Sequence, residues 1–217
     1  MKSRSMILSK SYLLLKNLVH GVIIVIGSGK MGKSCTAHSL ADLFWPHLPK
    51  YILDPENIDV SIFPEYVHVK DTNEIPPRSV IFIEDVNRVF SSRKSGNNNA
   101  LQRWLSVVSQ KDYIVILSSQ SFADTDMAWA RSQNTIFVHK WMWPDDIQFE
   151  RQEIQVQQVS ANDAIVRLAL DSPTIDFRSI CYFARHGDTM SITPVEWWED
   201  GKHSHIFREV EISLISP

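Results

Sequence analysis

Residues 27–34 read GSGKMGKS, the spacing G-x-x-x-x-G-K-[ST], and they are the part of the chain whose residue types most directly prescribe chemistry. Glycines let a backbone approach an anion closely, so that successive N–H groups can wrap a phosphate. In that frame Lys33 reaches the β- and γ-phosphates of a nucleotide and Ser34 offers its hydroxyl to Mg²⁺. Gly27, Ser28, Gly29, Lys30, Met31, Gly32 and Cys35 complete the expected cradle, which takes three of the chain's seven glycines. A second constellation, Ser79 to Asp85 (SVIFIED), ends an apolar run in two carboxylates. Beside a triphosphate, such a pair can divide two tasks: one acid holds Mg²⁺ and the other orients the attacking water for in-line displacement. By position Glu84 is expected on the metal and Asp85 on the water. Gln120 closes a third apolar run after Ser118 and Ser119, where its amide is expected to meet the γ-phosphate or the water.

These side chains need elements that carry them to one place. Val22 to Ile26 is an unbroken β-branched run, as in a strand buried on both faces, and it leads through the glycines into helical spacing from Ser34 to Leu43, stopped by Pro46. Tyr51 to Leu53, Tyr66 to Val69, Val80 to Ile83, Tyr113 to Leu117 and Thr135 to His139 read as further strands, with a helix over about Ala100 to Val108. Apolar strands separated by helices imply crossover connections, hence an α/β sandwich with a mainly parallel sheet and helices on both faces. Ligands of such sheets sit at the carboxyl ends of the strands, where Gly27, Glu84 and Gln120 all fall. Beyond Pro144 the reading is open: Ile147 to Val159 mixes helical and alternating spacing, and Ala161 to Leu170 suits a helix. The C-terminal part reads as short strands and turns that complete or flank the core, or as a small appended unit. One domain over residues 1–217 is expected, with its core at about 18–140.

Composition narrows the class. A formal net charge of -3 excludes bulk electrostatic attraction to nucleic acid and leaves only local basic loops. Cys35 and Cys181 are the only cysteines and form no CxxC pair, which argues against a disulfide framework or a cysteine-rich zinc site and suits a reducing cytoplasm. The longest apolar run, Leu18 to Ile26, is too short to span a bilayer. Lys10 and Lys16 interrupt the N-terminal apolar stretch, so no targeting segment is read.

Taken together, the phosphate loop, Leu53-Asp54-Pro55-Glu56 after the second strand, the acids Glu84 and Asp85, and Ser118-Ser119-Gln120 resemble the FtsK-HerA superfamily of DNA-pumping ATPases. The resemblance spans about Val22 to His139 and is strongest to the genome-packaging ATPases of membrane-containing icosahedral viruses, including turreted archaeal viruses. It implies a RecA-like fold, Mg²⁺-dependent ATP hydrolysis, a homo-oligomeric ring and movement of double-stranded DNA through its centre. It further implies residence in the host cytoplasm or virion and docking to a capsid or portal-vertex protein. Two departures stand out. The family usually places Asp first in its acidic pair, so the roles of Glu84 and Asp85 are open to interchange. Many relatives carry an arginine just before the sensor strand, where this chain has Gln110 and Lys111. Lys111 is therefore the nominated cation donated in trans, with Arg93, Arg103 and Arg131 as alternatives.

Other features carry weaker expectations. The segment Ser109 to Asp112 (SQKD) lacks the Asn or Thr of a guanine-reading motif, which favours adenine or unselective base recognition. Arg93 and Lys94, beside Gly96 and three asparagines, are candidates for contacts to DNA phosphates, because a ring multiplies two charges per subunit into a band. Trp141, Trp143, Trp197 and Trp198 are read as core or subunit-contact residues, and His203 and His205 as residues of a surface turn rather than zinc ligands. Two rival functions stay open: a P-loop kinase of small molecules, and a nucleotide-dependent assembly protein with little turnover.

Overall fold

The structure is a computed structural model that describes residues 9–56, 58–84, 97–123, 127–132, 134–199 and 202–203, with the backbone alone for 97–103. Helix α1 (Lys10–Lys16) precedes strand β1 (Gly21–Ile26), and the phosphate loop then leads into α2 (Lys33–Phe44). Strands β2 (Lys50–Leu53), β3 (Tyr66–Val69) and β4 (Val80–Glu84) follow, then α3 (Asn97–Gln110), β5 (Ile114–Ser119), α4 (Met127–Arg131) and β6 (Thr135–His139). The chain continues through α5 (Pro144–Ile147) and α6 (Gln152–Asp171) to β7 (Ile180–Phe183) and β8 (Asp188–Ser191). Among the described residues these strands form one eight-stranded sheet in the order β3-β2-β4-β5-β1-β6-β7-β8. Strands β1 to β6 are mutually parallel, while β7 and β8 extend the same sheet in antiparallel fashion. The expected α/β architecture is therefore present, and the C-terminal strands complete the sheet.

Alternation along β1 explains why its whole length is apolar. Ile23 and Val25 face the layer built by Leu15, Ala37, Leu40 and Ala41, while Val22, Ile24 and Ile26 face Trp104, Val108, Phe122 and Trp129. Helix α2 and the C-terminal tryptophans thus cover one face, and α3 and α4 the other. Because β1 lies between β5 and β6, with β4 beyond β5, the strand order itself brings the ends of four strands around the phosphate loop.

Helix α6 settles the segment whose periodicity was ambiguous. Residues 152–171 form one helix whose buried face includes Gln158 and Asn162, while Val156 and Val159 are exposed. The inward polar side chains bond the backbone that leaves β6. Gln158 Nε2 donates to the Lys140 carbonyl at 2.8 Å, and Asn162 both accepts from the Met142 N–H (3.1 Å) and donates to the Met142 carbonyl (2.7 Å). An irregular buried segment leaves its polar groups without ladder partners, and these amides supply them.

One expectation is corrected here. His203 is buried, with its ring stacked on Trp198 and Nε2 facing the Ile62 carbonyl at 3.2 Å, so it does not lie in a surface turn; burial beside aromatic rings outweighs the polar local sequence. His205 lies outside the described residues. Of the two placements expected for the tryptophans, Trp197 and Trp198 take the core, on the α2 face, whereas Trp143 is 54% exposed and lies outside it. Among the described residues no helix is long and apolar enough to cross a membrane.

Candidate functional site

The phosphate loop begins where β1 ends, and close packing dictates its glycines. A Cβ on Gly27 would lie 2.7 Å from Lys140 Cβ and 3.0 Å from the Trp141 carbonyl oxygen, so only glycine fits as the chain turns past β6. Gly32 caps α2 with φ 74°, a left-handed conformation, and a Cβ there would meet the Arg178 carbonyl at 3.1 Å. Lys30 also takes a left-handed φ of 63° and is exposed, as expected of a solvated loop residue. The first intrahelical bond of α2 runs from the Thr36 N–H to the Gly32 carbonyl at 2.9 Å, so the amino end of the helix and its positive dipole open onto the loop. Lys33 is buried, and its ammonium donates to the Ser28 carbonyl at 2.9 Å across the loop.

Ser28 ties the loop to its flank. Its N–H donates to the Trp141 carbonyl at 3.1 Å, its hydroxyl donates to Asp146 of α5, and that hydroxyl accepts from the Trp143 N–H at 2.8 Å. The Ser28 amide is thus engaged by protein, which leaves the amides from Gly29 onward to face an anion. Lys140, fully buried, donates to the Arg178 carbonyl and lies 3.5 Å from Cys181 Sγ. Sequence reasoning missed this ammonium, placed behind Gly27 and Gly32. It adds positive potential to the cradle, because a buried charge is screened far less than a surface one.

On the opposite flank stands Glu84. The β4/β5 register sets it directly across from Ser118, and the Ser118 and Ser34 hydroxyls both donate to its Oε2, the latter at 3.0 Å. Its Oε1 faces Nε2 of His38, on α2, at 3.6 Å, too long for a full hydrogen bond but close enough to act through charge. Burial pushes the Glu84 carboxyl up, yet His38, Ser118 and Ser34 outweigh it and hold the group below its ordinary value, so it stays ionised. His38 is completely buried, sandwiched between Phe82 (4.3 Å, 22°) and Trp198 (5.6 Å, 30°), and its Nδ1 lies 3.0 Å from the Tyr66 hydroxyl. Burial foremost, with Asp42 and Glu84 nearby, raises the Tyr66 pKa and keeps the phenol neutral. An ionised Glu84 can only accept, so Nε2 carries a proton; in a neutral ring Nδ1 then accepts from Tyr66. A histidine five residues past the loop lysine gave no signal in sequence, because nothing local marks the strand it faces.

Gln120 follows β5 at the sheet's carboxyl edge, with its Oε1 3.9 Å from the point where a Gly29 Cβ would stand. The structure thus gathers Lys33, Ser34, Glu84 and Gln120 around one loop. Lys111 is elsewhere: it precedes β5 at the amino edge, with its ammonium 5.6 Å from the centroid of the Tyr113 ring. The six residues of β5 separate it from Gln120, roughly 20 Å at ~3.3 Å per residue. Arg131 closes α4 just before β6 and lies at the same amino edge. Asp85, Arg93 and Lys94 lie outside the described residues, as does the side chain of Arg103.

The donor set suits Mg²⁺. The Ser34 hydroxyl and the ionised Glu84 carboxylate are hard oxygens 3.0 Å apart, and a Mg²⁺ ion on few protein ligands completes its shell with phosphate and water. Among the described residues no group of three His, Cys, Asp or Glu is placed to hold a metal without such help.

No protein-family model and no curated protein matches this chain. Solved structures do. B204, the DNA-packaging ATPase from Sulfolobus turreted icosahedral virus, is 15% identical with a TM-score of 0.51, over 81% of this chain and 98% of that one. The genome packaging NTPase B204 from Sulfolobus turreted icosahedral virus 2 in complex with ATP-gammaS is also 15% identical, with a TM-score of 0.53 over 82% and 99%. The same NTPase in complex with AMP is 14% identical, with a TM-score of 0.53 over 81% and 98%. At this identity the likeness is one of fold: the chain has the α/β architecture of the turreted-virus genome-packaging NTPases.

Proposed function

We propose that this chain is a Mg²⁺-dependent ATPase that drives double-stranded DNA as a homo-oligomeric ring in viral genome packaging. The observation that carries the reading is the convergence of the Ser34 and Ser118 hydroxyls on one buried carboxylate oxygen of Glu84, beside a glycine loop that holds Lys33. Lys33 leaves the Ser28 carbonyl for the β- and γ-phosphates, a stronger, charge-assisted partner. Ser34 and Glu84 hold Mg²⁺, which when bound neutralises charge on the phosphate oxygens. Asp85 orients the attacking water and Gln120 contacts it or the γ-phosphate. The fold shared with the DNA-packaging ATPase B204 of the first virus, and with the genome packaging NTPase B204 of virus 2 that was solved with ATP-gammaS, supports the same direction. Arg93 and Lys94 are proposed to contact DNA phosphates, Lys111 to act in trans, and a capsid or portal-vertex protein to anchor the ring in the host cytoplasm or virion.

The test is steady-state ATP hydrolysis with and without double-stranded DNA, with Lys33→Ala as control. Stimulation by DNA, lost in Lys33→Ala, is the expected result. Hydrolysis indifferent to DNA with phosphate transferred to a metabolite would replace the motor by a kinase. Tight nucleotide binding without turnover would favour an assembly protein.

A further inference from the structure

The flank of the phosphate loop away from Glu84 and Gln120 carries an aromatic cluster that the proposed chemistry does not use. Trp141 is central. The Trp143 ring stands perpendicular to it, with centroids 6.2 Å apart and an 89° interplanar angle, and Phe177 packs against it at 5.5 Å and 63°. Trp143 is 54% exposed, and Trp141 and Phe177 are half-buried, whereas Met142 between the tryptophans is fully buried. The core therefore takes the methionine and leaves the larger rings outside. The cluster is rigidly joined to the loop at both ends: residues 141 and 143 bond Ser28, and the Arg178 carbonyl next to Phe177 abuts Gly32. Asn162 fixes the intervening Met142 backbone.

Glu84 and Gln120 stand at the ends of β4 and β5, on one side of β1, and residues 141–143 follow β6, on the other, so a triphosphate that crosses the loop from a γ end between Glu84 and Gln120 leaves it toward Trp141, Trp143 and Phe177. We infer that this corner receives the nucleobase by stacking, which makes Trp143 and Phe177 determinants of base affinity. Perpendicular rings leave a recess with two apolar walls, and a flat heterocycle that stacks on one can meet the other edge-on. Recognition through ring faces discriminates by stacking area and tolerates different hydrogen-bonding edges, so the site favours purines over pyrimidines and treats adenine and guanine nearly alike. This inference rests on the reading of residues 27–34 as a nucleotide site.

The experiment is equilibrium binding of ATP, GTP, CTP and inorganic tripolyphosphate, each with Mg²⁺, to the wild type and to Trp143→Ala, Phe177→Ala and Trp143→Phe. The expected result is a loss on the order of 10-fold for ATP and GTP in the alanine variants, with tripolyphosphate changed by less than about two-fold and Trp143→Phe close to wild type. Equal losses for ATP and tripolyphosphate would mean that the rings merely shape the loop, and would overturn the inference. Unchanged ATP affinity would also overturn it, as would an altered oligomeric state with intact binding, which would assign the patch to a subunit contact. Wild-type protein that binds ATP no better than tripolyphosphate refutes the stacking site and leaves the phosphate loop standing. Wild-type protein that binds neither refutes the nucleotide reading itself.

Discussion

Replacing His38 with phenylalanine isolates one contact behind Glu84. Phenylalanine keeps the ring that stacks on Phe82 and Trp198, so packing is largely conserved, and only the two ring nitrogens are lost. One loss leaves the Tyr66 hydroxyl, 3.0 Å from Nδ1, without that partner at a buried position, which costs about 1–3 kcal/mol. The other removes Nε2 from beside Glu84; at 3.6 Å this is weaker than a charge-assisted hydrogen bond and is worth about 1 kcal/mol. The expected destabilisation near neutral pH is therefore about 2–4 kcal/mol. The two parts differ in pH dependence. Glu84 has its folded pKa lowered, so its contribution is present above the ordinary value of 4.5 and is lost as pH falls through the depressed folded value. Without His38 that contribution is smaller, so the stability curves of wild type and variant converge in acid to the offset left by Tyr66. Urea unfolding from about pH 3 to pH 8 measures this, and the double variant with Tyr66→Phe should recover part of the loss, since both partners are then apolar. Parallel curves across the whole range would refute the argument that His38 acts on Glu84.

Asp85→Asn should bind ATP and fail to turn it over, whereas Glu84→Gln should lose Mg²⁺ dependence; nucleotide titration with and without Mg²⁺ shows whether the two roles are interchanged. Gln120→Ala should bind ATP normally and hydrolyse it on the order of 10-fold more slowly in single-turnover assays, and wild-type kinetics would remove it from the site. Lys140→Met should stabilise the ligand-free protein by about 1–3 kcal/mol, because it removes a buried charge with no carboxylate within ion-pair distance among the described residues, and should weaken ATP binding several-fold. Destabilisation with unchanged binding would make Lys140 purely structural. Lys33→Ala mixed with Lys111→Ala should hydrolyse ATP faster than either alone if Lys111 acts in trans, while additive activity in mixed oligomers would reject it.

The six parallel strands and the phosphate loop were legible because their signals are local: a buried strand must be apolar throughout, and a phosphate loop must have glycines where its neighbours leave no room for a Cβ. Helix α6 was legible in its second half, Ala161 to Leu170, and ambiguous in its first. Its inward face carries Gln158 and Asn162, which bond the β6 exit, beside Ile154, Ala161 and Ile165, while Val156 and Val159 face outward, so the apolar residues of the first half mark no single face. Ser118 as a partner of Glu84 depends on the register of two strands thirty-four residues apart. His38, Lys140 and the Trp141 cluster depend on which elements the tertiary fold sets behind the loop, information carried by no short stretch of sequence.

The placement of the surface cations bears on assembly. Lys111 and Arg131 both lie at the amino edge of the sheet, and the phosphate loop, Glu84 and Gln120 lie at the carboxyl edge. Strand length therefore keeps either cation from a γ-phosphate in its own subunit. A cation that acts from the amino edge requires that edge of one copy to face the carboxyl edge of the next, a contact between two different surfaces of the same chain. Such head-to-tail contacts repeat from copy to copy, closing into a ring where the rotation closes and running on as a filament where it does not, whereas a two-fold contact must present both edges of each copy to the same partner. If either cation is the trans donor, the direction of the parallel sheet, set by the crossovers between β1 and β6, already requires that the amino edge of one copy meet the carboxyl edge of another. A donor drawn from residues 93 or 103 would carry no such implication. The identity of the donor therefore fixes which edges meet between copies, and turnover in mixed oligomers tests that identity.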